Sequence, residues 1–256
     1  MRPCPSRPLG IFCGLKMAVD PDSLIPPNSG CWRLIEVTAL KGSVVNAQFP
    51  APVVYSNHEI SHRVCWSSGA LVSLWPDQVM ACSQGTSAVV TFGGVDPRNG
   101  RRYVSYETIK GGFGARPAKD GINVIASGIS NTMNTPIEVL EMAFPLRVEH
   151  YAINPDSGGA GRHRGGNGAI RRWRLLEGAD AVGSLCMERM TSPPFGLLGG
   201  KAGAAALVTL TTPDGHTRHL PSKVVPSPGR FGHRHGDTGL RRFWSAERAR
   251  SRGDWA

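Results

Sequence analysis

Ile60, Val64, Leu71, Leu74 and Trp75 recur at helical spacing behind Asn57 and ahead of Pro76. One apolar face between an N-capping residue and a proline stop predicts a helix over 57–75. A second helix is predicted over 134–144. Pro136 stands near its start, Glu138 and Glu141 fall in its first turns, and Pro145 closes it, which are the proline and acid preferences of a helix N-terminus. Elsewhere the dominant period is two. Strands are expected at Cys31–Leu40, at Val44-Val45, within 80–109 with a turn at Gly93-Gly94 and a hairpin tip at Asp96–Gly100, and at Arg147–Ile153, Ala169–Leu176 and Ala181–Met187. Ala205–Thr211 running into Asp214-Gly215 reads as a further hairpin. The expected fold is α+β: strand-rich mixed sheets with a few packed helices, at about 57–75 and 134–144.

Composition narrows the class. Of 256 residues, 40% are apolar and 19% charged, the balance of a globular chain that buries a core. With 32 glycines and 20 prolines it is rich in loops. No run approaches the roughly 18 apolar residues of a membrane span, so no membrane role is expected. The net charge of +10 raises nucleic acid as a partner. Most of that charge lies at the two ends. Residues 1–17 carry Arg2, Arg7 and Lys16 with no acid, and 229–256 carry seven arginines against three acids. A nucleic-acid face belongs on the fold itself, so that partner is set aside. The six cysteines (4, 13, 31, 65, 82 and 186) form no CxxC pair. They read as free thiols of a cytoplasmic protein. The apolar run after Arg7 is short and broken by Lys16, unlike a signal peptide. The expected organisation is a non-matching segment 1–14, one domain over 15–228, and a basic tail 229–256 that is disordered or out of frame.

Several motifs carry candidate chemistry. His58-Glu59-Ile60-Ser61-His62 spells H-E-x-x-H, the helical zinc pair with a general base. At about 100° per residue both imidazoles fall opposite the Ile60/Val64 face, so solvent-facing histidines compete with a metal site. His58 and His62 stand as the metal candidates. Asp156-Ser157-Gly158-Gly159 echoes a serine-protease nucleophile segment, but no partner histidine segment precedes it. Three glycine runs, 111–114, 158–168 and 199–203, lack a dinucleotide or P-loop pattern. The amides of Gly159–Gly166, with Arg162, His163 and Arg164 interleaved, suggest an anion-binding concavity. Glycines also simply permit tight turns. Ser157, Gly158, Gly159, Gly161, Arg162, Arg164, Gly165, Gly166 and Arg116 are the anion- and substrate-binding candidates. Glu138, Glu141 and Asp156 are the catalytic candidates, against helix-terminal charges as the alternative for the two glutamates.

The order of the motifs is more specific than any one of them. Pro27-Asn28-Ser29-Gly30-Cys31-Trp32-Arg33, Gly42-Ser43-Val44-Val45-Asn46 and Pro50-Ala51-Pro52-Val53 lead. Ser83-Gln84-Gly85-Thr86, Phe92-Gly93-Gly94, Tyr106-Glu107, Gly111-Gly112-Phe113-Gly114-Ala115-Arg116 and Asp120-Gly121 follow. Then come Asn134-Thr135-Pro136-Ile137-Glu138, Asp156–Arg162, Arg164-Gly165-Gly166 and Pro193–Gly200. This series, from about Leu15 to about Val225, resembles the hydantoinase B/oxoprolinase family, which includes the HyuB-type subunits of N-methylhydantoinases, over its C-terminal half only. The resemblance implies a hydrolase of cyclic amide C–N bonds, opening a hydantoin or 5-oxoproline. It implies a heteromeric complex with a hydantoinase A-type ATPase subunit that uses ATP and magnesium, with no cofactor held by this chain. A divalent metal belongs, by the same resemblance, to the N-terminal half that this sequence lacks. Two alternatives stay open: membership of a related ketone carboxylase, or an inactive remnant that only binds its partner.

Overall fold

The computed structural model describes residues 6–20, 24–51, 56–66, 75–126, 128, 130, 132–212, 215–224 and 244–248. Among the described residues four helices, α1 (Ser6–Val19), α2 (Ser29–Trp32), α3 (Ser56–Trp66) and α4 (Ile137–Ala143), accompany nine strands. These are β1 (Val89–Val95), β2 (Arg102–Thr108), β3 (Leu146–Ile153), β4 (Ala169–Leu175), β5 (Asp180–Cys186), β6 (Ala206–Thr211), β7 (Thr217–His219), β8 (Lys223–Val224) and β9 (Trp244–Arg248). Every strand pairing is antiparallel. One sheet runs β2-β1-β5-β8 and the other β3-β4-β9-β6-β7. The α+β class read from the sequence is the class observed.

Alternation builds the interior. β4 buries Ala169, Arg171, Trp173 and Leu175 on one face, and β2 buries Tyr103, Ser105 and Glu107. Antiparallel strands with one face against a core give this inside–outside alternation. Val90, Phe92, Ala181 and Leu185 of the first sheet join Leu146, Trp173, Val208 and Leu210 of the second in one buried cluster. Phe92 meets Trp173 edge-on, with ring centroids 6.0 Å apart. Arg171 Nη1 donates to Glu107 Oε2 at 2.8 Å across the same space. The core is thus apolar with one ion pair inside it.

Several elements differ from the sequence pattern. The stretch 31–40 is not a strand: Ser29–Trp32 is a helical turn capped by Asn28, and Val44–Asn46 is a turn of 3₁₀-helix. Leu34 and Leu40 lie outside, Leu34 95% exposed, while Trp32, Ile35 and Val37 are half-buried. Gly93 and Gly94 continue β1 rather than turn, because Gly94 lies against the Asp180 carbonyl where a Cβ would collide. Helix α3 ends its described span at Trp66, short of the expected 75, and residues 67–74 lie outside the described residues. The 134–144 helix is shorter, Ile137–Ala143. Within 229–256, Trp244–Arg248 is the strand β9, whose backbone lies between β4 and β6.

The α3 face also turns out otherwise. His62, expected outside, is 1% exposed, and its Nε2 lies 2.7 Å from Ser87 Oγ. One side of this helix meets α1. A Cβ on Gly10 would stand 2.9 Å from the Ser61 carbonyl oxygen, so the helices approach through small residues. That approach sets Gly10 against Ser61 and Val64, while the His62 ring is covered from the other direction by Ser87 and Gly128. Ser61, His62 and Cys65 are buried and Ile60 and Val64 only partly covered. The side chain of His58 lies outside the described residues.

Candidate functional site

Four connections meet at one end of the two sheets. Residues 76–82 lead towards β1, 111–117 leave β2, 157–166 join β3 to β4, and 194–203 join β5 to β6. Backbone hydrogen bonds stitch them: Ala81 N to Ala115 O at 2.8 Å, Cys82 N to Phe195 O at 3.3 Å, Gly166 N to Phe113 O at 2.8 Å, and Lys201 N to Ala160 O at 2.7 Å. Between them lies a cleft of 490 Å³, within the range of small-molecule sites. All three glycine runs contribute to its wall.

Most of these glycines serve close backbone approach. A Cβ on Gly112 would strike the Gly166 carbonyl, one on Gly166 the Ile122 carbonyl, one on Gly159 the Lys201 carbonyl, and one on Gly114 the Ala81 carbonyl. Side chains at these places would hold the loops apart. Glycine there is what allows the cleft wall to be built of stacked main chain.

That stacking consumes part of the expected anion nest. The amide of Arg164 donates to Asp120 Oδ1 at 2.8 Å, Gly165 to Gly159 O at 2.9 Å, and Gly166 to Phe113 O at 2.8 Å. Gly158 N is taken by Asn167 Oδ1 at 3.0 Å. Among the described residues, no hydrogen-bond acceptor stands opposite the amides of Ala160, Gly161, Arg162 and His163. The nest is therefore narrower than 159–166, and it sits on the rim at 160–163.

Of the binding candidates, Arg116, Ser157, Gly159, Gly161, Arg162, Gly165 and Gly166 line the cleft, whereas Gly158 and Arg164 do not. Arg116 is held by the Asp120 carbonyl, with Nη2 donating at 2.8 Å and Nε at 3.2 Å. Its charge meets only a carbonyl dipole in that contact. The Arg164 guanidinium turns inward to Gly165 O at 2.8 Å and Asn167 Oδ1 at 3.2 Å, so it braces the loop. Ser157 is 2% exposed, its hydroxyl donating to Asn154 O at 2.8 Å and accepting from Gly168 N at 2.8 Å. Both functions of that oxygen are occupied by the turn, which leaves a protease-like nucleophile without a basis.

The carboxylate candidates lie elsewhere. Glu141 accepts from Val148 N at 2.9 Å and binds α4 to β3. Glu138 sits in the first turn of α4, and Asp156 occupies a left-handed turn position at φ +56°. None of the three lines the cleft. For the H-E-x-x-H segment, Glu59 pairs with Arg63 at 3.1 Å and accepts from Thr86 Oγ1 at 2.5 Å. Among the described residues no group of three or more His, Cys, Asp or Glu is placed to hold a metal ion, and no helix is long and apolar enough to cross a membrane.

Sequence patterning missed other lining residues. Lys201 adds a third cation beside Arg116, Arg162 and the already expected His163, and Asp77 is the acid of the wall. Phe195, Leu197 and Leu198 supply an apolar side. Lys201 was legible in principle as a lysine enclosed by Gly199-Gly200 and Gly203. Cys82, immediately before Ser83-Gln84-Gly85-Thr86, carried no pattern of its own.

Comparison with known proteins places this architecture. The sequence profile of the family described as Hydantoinase B/oxoprolinase matches residues 6–234. The B-type subunit of a putative D-/L-hydantoinase from Pseudomonas sp. is 32% identical over 214 residues, 84% of this chain and 34% of that protein. The 5-oxoprolinase 1 of Arabidopsis thaliana is 34% identical over 213 residues, 83% of this chain and 16% of that protein. The crystal structure of an ATP-dependent caprolactamase from Pseudomonas jessenii superposes with a TM-score of 0.73 at 25% identity, over 93% of this chain and 41% of that one. The chain thus spans about a third of the hydantoinase subunit and a smaller share of the oxoprolinase.

Proposed function

The chain belongs to the hydantoinase B/oxoprolinase family, and we propose that it supplies the anion-holding wall of an enzyme that opens a cyclic amide with consumption of ATP. The substrate class is a hydantoin, 5-oxoproline or related lactam. ATP and magnesium are used by a partner subunit of the hydantoinase A type, and a divalent metal, where one takes part, belongs to portions of the enzyme beyond this chain. The names of the relatives support this reading: a hydantoinase subunit, an oxoprolinase and a caprolactamase.

One observation carries the reading. Four rim amides at 160–163 that meet no acceptor among the described residues, and the cations Arg116, Arg162 and Lys201, surround a cleft of 490 Å³ that also has an apolar side. Activating a lactam oxygen with phosphate produces an anionic, ring-derived species. Fixed amides and guanidinium groups stabilise such charge without reorganising. The apolar side suits ring methylenes. Within this wall Arg162 and Arg116 hold charge, whereas Arg164 positions the loop.

The test is ATP-dependent ring opening by the complete complex, this chain with its ATPase partner. Arg162→Gln is expected to lower kcat/KM by about 10²-fold, the scale of losing one charge-stabilising donor. Arg164→Gln is expected to act through stability of the loop. Unchanged turnover in both Arg162→Gln and Arg116→Gln would remove the proposed role.

A further inference from the structure

Residues 24–51 contribute nothing buried to the protein: every one of them is half-buried or exposed. Leu24, Leu34, Leu40, Val44 and Phe49 are between 81% and 95% exposed, and Ile25 is exposed as well. The segment carries only three charged residues, Arg33, Glu36 and Lys41. A stretch that lives in water is rich in charge and poor in large apolar side chains. This one has the opposite composition.

Its backbone is nonetheless held by specific contacts. Asp20 accepts the amides of Leu24 and Ile25 at 2.9 Å each, and Lys16 Nζ donates to the Ile25 carbonyl at 2.6 Å. Trp32 stacks on Phe12 of α1, with ring centroids 4.5 Å apart. Further along, Gly42 N donates to Asn46 O at 2.8 Å, Asn46 Nδ2 to Ala39 O at 2.9 Å and Ser43 Oγ to Leu40 O at 2.7 Å. This turn leaves Leu40 and Val44 pointing to solvent. Fixing a backbone costs conformational entropy, which burial of apolar surface ordinarily offsets. Large apolar side chains displayed on a preorganised backbone suit a contact surface.

The relatives identify what covers it. The family profile runs through this segment as part of one match over 6–234. The superposed caprolactamase is covered over 41% of its chain, and the hydantoinase subunit over 34%. More than half of each relative therefore lies outside the match, as polypeptide that can seat against these residues. We propose that residues 24–51 form a docking arm, whose occupant is an apolar surface on the portion of a hydantoinase B-type subunit that this chain does not span. That surface is uncharged where Leu40, Val44 and Phe49 seat, because a charge buried there without a partner is costly. The inference rests on family membership and not on the ring-opening activity under Proposed function.

The experiment co-produces the full chain with the part of the Pseudomonas sp. hydantoinase subunit outside the aligned 214 residues. Association is measured by light scattering and titration, with no ATP or lactam present. A one-to-one complex is expected, and benzoylphenylalanine in place of Phe49 should crosslink to that polypeptide. Leu40→Asp combined with Val44→Asp should weaken association about tenfold or more, while Lys41→Ala leaves it unchanged. Both positions are exposed in the free chain, so without the partner the double variant should melt at the wild-type temperature. A lowered melting temperature would show the arm packed on its own chain and overturns the proposal. So does a crosslink from position 49 to a second copy of this chain, or unchanged association in the double variant. Failure of the two polypeptides to associate in solution overturns it equally. Ring opening is never read, so failure of the lactam reading alters none of these outcomes.

Discussion

Gly166 and Asp96 show how single residues set the shape and its pH response. The hydrogen of Gly166 faces the Ile122 carbonyl at the crossing of two cleft loops. Gly166→Ala is expected to lower stability by about 1–3 kcal/mol through forced backbone displacement, read as a shift of the urea midpoint. Gly215→Ala, with nothing near its Cβ but a left-handed φ of +90°, should cost only the backbone strain. The Asp96 carboxylate receives Arg98 through Nε and Nη2, the latter at 2.7 Å, and this hydrogen bonding holds its carboxyl below the ordinary value. A carboxyl lowered on folding stabilises the protein above its unfolded value, near 4, and loses that contribution as pH falls through the folded one. The stability gap between wild type and Asp96→Asn should therefore be full at neutral pH and close at strongly acid pH. Thermal melts of both proteins across that range check it.

At the scale of elements, the strands that carry the core were the most readable in the chain. Ala169–Leu175 and Arg102–Thr108 alternate because one face meets the other sheet, so period and burial agree. The segment 31–40 alternates as well, but it pairs with no strand among the described residues. Trp32 stacks instead on Phe12, with ring centroids 4.5 Å apart, and period alone does not supply a neighbouring strand. The face of α3 was misread for a related reason. Hydrophobicity favoured Ile60 and Val64, whereas Gly10 lets α1 approach Ser61, and Ser87 and Gly128 enclose His62. Long-range charge pairs were equally invisible: nothing local ties Glu107 to Arg171, which lies 1% exposed between the Tyr151 and Trp173 rings. Glu107→Gln should leave that guanidinium buried without its counter-charge and cost about 3–5 kcal/mol. Pairing it with Arg171→Met should recover much of the loss, and denaturant unfolding of the double-mutant cycle measures the coupling.

Across the whole molecule, the glycine runs were visible in the sequence but their meeting place was not. Residues 111–114, 158–168 and 199–203 belong to three different connections, and only the antiparallel topology brings them to one end. Their ordered motifs led to the family, while the cleft's chemistry needed the coordinates: Arg164 turned inward, the carboxylates Glu138, Glu141 and Asp156 stood elsewhere, and Lys201 and Cys82 joined the wall. The central claim is that the rim at 160–163, with Arg162, holds a small oxyanion. Its most direct measurement is a titration of the ¹⁵N-labelled chain with inorganic phosphate, followed by amide chemical shifts. Saturable shifts concentrated at Ala160, Gly161, Arg162 and His163, and lost in Arg162→Gln, are predicted. Shifts that never saturate, or that spread evenly over the basic surface and persist in Arg162→Gln, would contradict it.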